Sequence, residues 1–268
     1  MFYLVKSILR DVKNYYFPRK YPFGKKILAY KEYYLSKHND AKKKFYKEID
    51  LFEERCDFKI DKKWLDNLAL HTQVVKKKSE INYQHGRVLY SSLRDYIKKK
   101  ELKYLNILEI GTALGFSSTC MSKAIIDSNI KGKIFSIDII SGINKIYWNC
   151  IDDHEGPKTR FELLSGWKEE LSNIIFLTGP SFFTLKKFKE HQINFAYIDG
   201  MHDYRNVKKE FNFISSRQLS GDMIILDDVN SSFPEVEKFL DEQKKIENYN
   251  IQKIISTEER AYAVCEKR

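Results

Sequence analysis

The 268-residue chain has no uninterrupted run near the ~20 apolar residues that a membrane-spanning helix needs. Its four cysteines, Cys56, Cys120, Cys150 and Cys265, lie far apart and form no C-x-x-C pair. That spacing argues against a zinc knuckle or a disulfide framework and for a reducing, cytoplasmic setting. The dinucleotide fingerprint G-x-G-x-x-G is missing, and there is no internal repeat or low-complexity tract. No nucleic-acid recognition motif accompanies the formal charge of +10, so a nucleic-acid partner is not expected. What the chain does have is 43% hydrophobic and 14% aromatic residues, enough for a sizeable core and against general disorder.

The charge is unevenly spread. Residues 1–60 hold 15 Lys/Arg against 8 Asp/Glu, whereas the rest is close to balance, with 32 against 29. This front part, a basic helical extension, is set apart from a domain over 61–268. Within 1–17, Leu4, Val5, Ile8, Leu9 and Val12 recur at helical spacing between Lys6, Arg10 and Lys13. Such a helix suits peripheral contact with the anionic inner face of a membrane, or packing on its own domain or another subunit of a homo-oligomer.

From about residue 60 the pattern becomes regular. Two helical stretches, in "WLDNLALHTQVV" and "GRVLYSSLRDYIKKK", precede short apolar runs separated by further helices. The runs are "LNILEI", "KIFSID", "NIIFLT", "INFAYID" and "DMIILDD". Continuous apolar strands alternating with helices imply a parallel sheet covered on both faces. The closing pair "IQKIIS" and "AYAVCE" reads as a hairpin that adds an antiparallel edge strand. The expected fold is α/β: a doubly wound, mostly parallel, seven-stranded Rossmann-like sheet.

Ligands in such folds bind beyond the carboxyl ends of the strands. Four of the five central runs end on or beside an acid: Glu109, Asp138, Asp199 and the pair Asp227–Asp228. "EIGTALGFSS" follows the first strand, and Gly111 and Gly115 allow a tight turn. An acid directly before that turn would repel a pyrophosphate. It suits a cofactor with a positive amino group, and S-adenosylmethionine carries one. Asp138 can accept hydrogen bonds from both ribose hydroxyls, and Ser181 in "LTGPSF" can meet the adenine edge.

At the other side, Asp199, Asp227 and Asp228 end adjacent runs. Neighbouring strands are ~4.8 Å apart, so the three carboxylates can converge. Converging carboxylates invite a divalent cation, and all-oxygen ligation favours Mg²⁺. His202, three residues after Asp199, becomes the leading general base, with Asp203 as competitor. Between strands two and three, Trp148, Asp152, His154 and Arg160 are candidates for shaping a hydroxyl-rich substrate site. Tyr83 or Gln84 could cover the methionine end of the cofactor.

On these motifs the segment from about Leu105 to Cys265 resembles class I S-adenosylmethionine-dependent methyltransferases. It is most similar to the metal-dependent O-methyltransferase branch that includes catechol O-methyltransferase and the macrocin-type sugar enzymes. Glu109, Gly111, Gly115 and Ser117 match that branch's cofactor turn. Asp199, Asp227 and Asp228 match its Mg²⁺ ligands, and His202 its base. The resemblance implies methyl transfer to a hydroxyl of a small molecule or glycan, most simply a sugar. The alternatives are a dinucleotide-dependent oxidoreductase and a non-catalytic, membrane-associated scaffold that retains the fold.

Overall fold

A computed structural model describes residues 21–22 and 29–268, so the amphipathic segment 1–17 lies outside the described residues. Four helices come first: α1 (Lys31–Lys42), α2 (Lys47–Cys56), α3 (Lys62–Thr72) and α4 (His85–Lys100). Asp61 starts α3 by accepting the Trp64 N–H at 2.7 Å, which satisfies a donor that the first turn leaves unpaired. In α4, Val88, Leu89, Leu93, Tyr96 and Ile97 form the buried stripe. The last turn carries Lys98, Lys99 and Lys100, where cations complement the helix dipole.

Strands and helices then alternate: β1 (Tyr104–Ile110), α5 (Phe116–Asp127), β2 (Lys131–Asp138), the short helices α6 (Arg160–Leu163) and α7 (Lys168–Leu171), and β3 (Ile174–Thr178). They continue with α8 (Ser181–Lys187), β4 (Phe195–Ile198), α9 (Tyr204–Ser215), β5 (Met223–Leu226), α10 (Pro234–Ile246), β6 (Tyr249–Thr257) and β7 (Arg260–Lys267). The seven strands lie in the order β3-β2-β1-β4-β5-β7-β6. β1 to β5 are parallel, and β7 runs antiparallel to both neighbours. The expected doubly wound sheet is therefore present. The hairpin differs in one respect: its antiparallel strand β7 is inserted beside β5, and β6 forms the edge.

Alternation along the strands sends side chains to two cores. Phe195 and Tyr197 of β4 join Leu105, Ile107 and Phe116 on one face, while Ala196 and Ile198 join Leu108, Val207 and Phe211 on the other. Tyr34 of α1 and Ile49 and Phe52 of α2 belong to the first of these cores, so residues 31–56 share the sheet's own packing. Gly86 lets α4 approach α5, because a Cβ there would stand 2.7 Å from the Phe116 ring. All four cysteines are free and buried. Among the described residues, no helix is long and apolar enough to cross a membrane.

The chain winds outward from β1 through β2 to β3, then returns to place β4 on the other side of β1. The strand order thus reverses between β1 and β4, and a crevice opens there at the carboxyl ends.

Candidate active site

β1 ends in a turn that only glycine can start. Gly111 has φ +100°, and a Cβ on it would stand 1.9 Å from the carbonyl oxygen of Asp199. The close neighbour is thus the end of β4, so the glycine locks two strand ends together. Ala113, at φ +45°, donates its N–H to Asp138 Oδ2 at 2.6 Å. Asp138 Oδ1 accepts the Ile140 N–H at 2.7 Å. Arg160, expected in a substrate loop, is instead buried against this turn. It donates from Nε to the Ala113 carbonyl at 2.9 Å and from its terminal nitrogen to Ile140 O at 3.1 Å.

Glu109 was expected to face the ligand but lies beneath the turn, fully buried. Its two oxygens accept the hydroxyls of Ser117 and Ser136. Burial pushes it up to about 7, against the opposing effect of these two hydroxyls. Gly115 (φ +92°) opens α5 and packs against Leu164, with Ser117 directed inward toward Glu109. Glu109, Gly115 and Ser117 therefore shape the turn from below. Gly111, Asp138 and Ser181 line a cavity of about 380 Å³, shared with Pro180, Phe182 and Asp199.

The second half of the site gathers at β4 and β5. Asp199, His202 and Asp228 bring one ligating atom each to within 4.8 Å of one another. His202 Nε2 stands 3.1 Å from Asp228 Oδ2 and 3.5 Å from Asp199 Oδ1. That nitrogen is buried and makes no hydrogen bond of good geometry. Asp227 is the exception among the expected ligands. It is turned into the protein, where it accepts Arg260 at 2.5 Å and the Tyr197 hydroxyl at 2.8 Å. The two adjacent carboxylates thus face different partners, Asp227 toward Arg260 and Asp228, at φ +55°, toward His202. Asp203, the competing base, is committed to capping α9, accepting the Asn206 N–H at 3.0 Å.

The electrostatics follow that split. Burial alone would raise Asp227, but the Arg260 guanidinium beside it reverses the shift, so it lies below the usual carboxylate range. Burial raises Asp199 to about 7, with the charge of Asp227 adding to the effect. Asp228 is raised by burial and then by Asp227. Burial opposes the charge on His202, yet the contact with Asp199 and the nearby carboxylates raise it overall.

A second cavity, about 720 Å³, opens on the far side of this cluster. Lys77, Asn82, Asp228, Ser232, Glu258 and Arg260 are among its lining residues. Asp199 belongs to the wall of the smaller cavity and Asp228 to that of the larger, so the cluster stands between them. The segment before β1 does contribute, but through Lys77 to Glu80 and Asn82. Tyr83 is buried with its hydroxyl on Asp66, and Gln84 is buried and accepts from Arg87. Trp148, Asp152 and His154 likewise hold structure. Trp148 Nε1 donates to Lys158 O, Asp152 pairs with His71 and Lys158, and His154 contacts the Ala29 carbonyl.

Sequence reasoning missed Tyr197, Arg260, Lys77 and Glu210, the last a lining residue of the smaller cavity. Tyr197 alone left a signal, since it precedes Asp199 by two on a strand and so shares its face.

Residues 108–229 match the model of a methyltransferase domain. No curated protein sequence matches the chain. Among solved structures, the chain is similar to the O-methyltransferase TomG from Streptomyces achromogenes, involved in tomaymycin synthesis and solved with SAM. The identity is 12%, covering 78% of this chain and 92% of that one, at a TM-score of 0.54. It is also similar to the O-methyltransferase from Bacillus cereus in complex with SAH, at 13% identity, 81% and 91% coverage and a TM-score of 0.52. These likenesses show the fold, and the methyltransferase-domain model covers residues 108–229 of it.

Proposed function

We propose that this methyltransferase domain moves a methyl group from S-adenosylmethionine to a hydroxyl of a polar acceptor, most simply a sugar. The observation that carries the reading is the cluster of Asp199, His202 and Asp228 standing between two cavities of different character. The smaller cavity suits the cofactor. Each Asp138 oxygen uses one acceptor site on a backbone N–H and keeps another for a ribose hydroxyl. Similar folds solved with SAM and SAH support this choice over a dinucleotide. The larger cavity, lined by Ser79, Asn82, Ser232, Thr257 and several charged side chains, suits a hydroxyl-rich acceptor.

A divalent cation, Mg²⁺ by its preference for oxygen, fits the converging carboxylates of Asp199 and Asp228, with the His202 ring beside them as the base. Asp199 and Asp228 would hold it, and when bound it supplies Lewis-acid polarisation of the acceptor oxygen. The sulfonium of the cofactor supplies the reactive methyl group. The chain's own part is geometry and proton handling. His202 takes the proton of the acceptor hydroxyl, and cation charge between Asp199 and Asp228 would offset the negative field that raises it. Tyr197 gives its one hydroxyl proton to Asp227, which helps hold that carboxylate turned away from the cluster. Arg260 neutralises Asp227, leaving Asp199 and Asp228 as the carboxylates directed to the cation.

Incubation of the protein with methyl-labelled S-adenosylmethionine and a panel of free and nucleotide-linked sugars tests this. Transfer that stops with EDTA and returns with Mg²⁺ is expected. Labelling that ignores EDTA would remove the metal, and no labelling of any hydroxyl acceptor would favour a scaffold.

A further inference from the structure

Glu210 projects from α9 toward the smaller cavity and lines it together with Ser181 and Gly200. The side chain is 3% exposed. Its Oε1 accepts the Ser181 hydroxyl at 2.5 Å, whereas Oε2 makes no hydrogen bond. Oε2 faces Gly200, 3.9 Å from where a Cβ on that residue would stand.

A carboxyl oxygen taken from water without a donor is costly, and folded proteins nearly always supply one. Packing gives no reason for the acid. The other inward positions of α9 are Val207, Phe211 and Ile214, so an apolar residue at 210 would serve the core as well. Burial raises Glu210 to about 7, and the Ser181 hydroxyl only partly opposes this. When ionised, Glu210 offers through Oε2 an acceptor that no donor of the protein meets.

The cavity runs from Asp138 at the end of β2 to Ser181 beyond β3, where Pro180 and Phe182 add apolar wall for a flat ring. If the ribose lies at Asp138, the base lies toward Ser181 and Glu210. We propose that Glu210 reads the purine: Oε2 accepts the exocyclic 6-amino group of the adenosyl cofactor, while Oε1 holds Ser181 in place. This rests on the cofactor reading given above. A 6-oxo purine would present an acceptor to the same oxygen, leaving both unpaired.

The test compares S-adenosylhomocysteine with its deaminated counterpart, S-inosylhomocysteine, by calorimetric titration of the full chain at pH 8.5, where Glu210 is ionised. Wild type is expected to prefer the adenosyl form by at least ~10-fold, and Glu210→Gln to narrow the ratio to within ~3-fold, because an amide can also donate. Adenosyl binding without preference in wild type overturns the inference without relying on any variant. Undiminished preference in a folded Glu210→Gln protein overturns it too. In both cases the cofactor reading survives. Binding of neither ligand to wild type overturns that reading, and this inference with it.

Discussion

The two cavities that meet at Asp199, His202 and Asp228 differ in one wall. Apart from Asn206 and Glu210 of α9, the smaller is lined mainly by residues at or just after strand ends: Gly111 after β1, Asp138 to Ile140 at β2, Gly179 to Ser181 after β3, and Asp199 to Met201 after β4. The larger combines the loop after β5 (228–233) and the β6–β7 turn (257–260) with a segment that belongs to no strand, 77–82. A wall made of strand ends is fixed by the sheet itself, because each turn hangs from a hydrogen-bonded strand. The 77–82 side of the larger cavity is held by long-range packing instead and can change shape without disturbing the sheet. The difference suits a fixed cofactor on one side and a variable acceptor on the other.

The strongest test of that division lies at the cluster between the cavities. His202→Ala is expected to lower turnover roughly 10²–10⁴-fold, the usual worth of a positioned base, while cation and cofactor still bind. Single-turnover rates alongside Mn²⁺ titration check this, and loss of cation affinity in step with turnover would make His202 a ligand instead.

The adjacent aspartates should separate cleanly. Asp227→Ala strips the half-buried Arg260 of its counter-charge and the Tyr197 hydroxyl of its acceptor, and is expected to cost about 1–3 kcal/mol of stability. Asp228→Ala, at a partly exposed site, should unfold near the wild-type temperature but bind the cation poorly. Thermal melts and metal titrations that placed the two variants together would erase the distinction between support and ligand.

Glu109 gives a pH signature on the cofactor side. Its folded value, about 7, lies above the ordinary 4.5, so the unfolded chain ionises first as pH rises. Its cost to stability is therefore absent below about pH 4.5 and grows to about 3 kcal/mol by pH 7. Urea unfolding of Glu109→Gln should show a stability difference from wild type that grows across that window and then levels off. A flat difference would mean that Glu109 is not held in its neutral form.

The smallest expected effect is Asp138→Ala, which removes a charged acceptor from the ribose position. S-adenosylhomocysteine binding should weaken by ~1–3 kcal/mol, with acceptor affinity unchanged. Unaltered affinity in the folded variant would move the ribose elsewhere in the cavity.

Much of the cofactor side was legible in the sequence because its information is local. Continuous apolar runs between helices prescribe a buried parallel sheet, and such a sheet places its strand ends in one crevice. Acids and glycines at those ends then name the crevice without any further knowledge of packing. Tertiary structure alone decided which way those residues face. Glu109 and Asp138 both end strands, yet one is sealed under Ser117 and Ser136 and the other opens to the cavity. Asp227 and Asp228 are chain neighbours, yet an arginine 33 residues away takes the first and leaves the second free to face His202. The physical reason is that a buried charge is settled by whichever partner the fold brings within hydrogen-bond reach. For Asp227 that partner arrives on a hairpin strand inserted beside β5, a placement that no local pattern encodes.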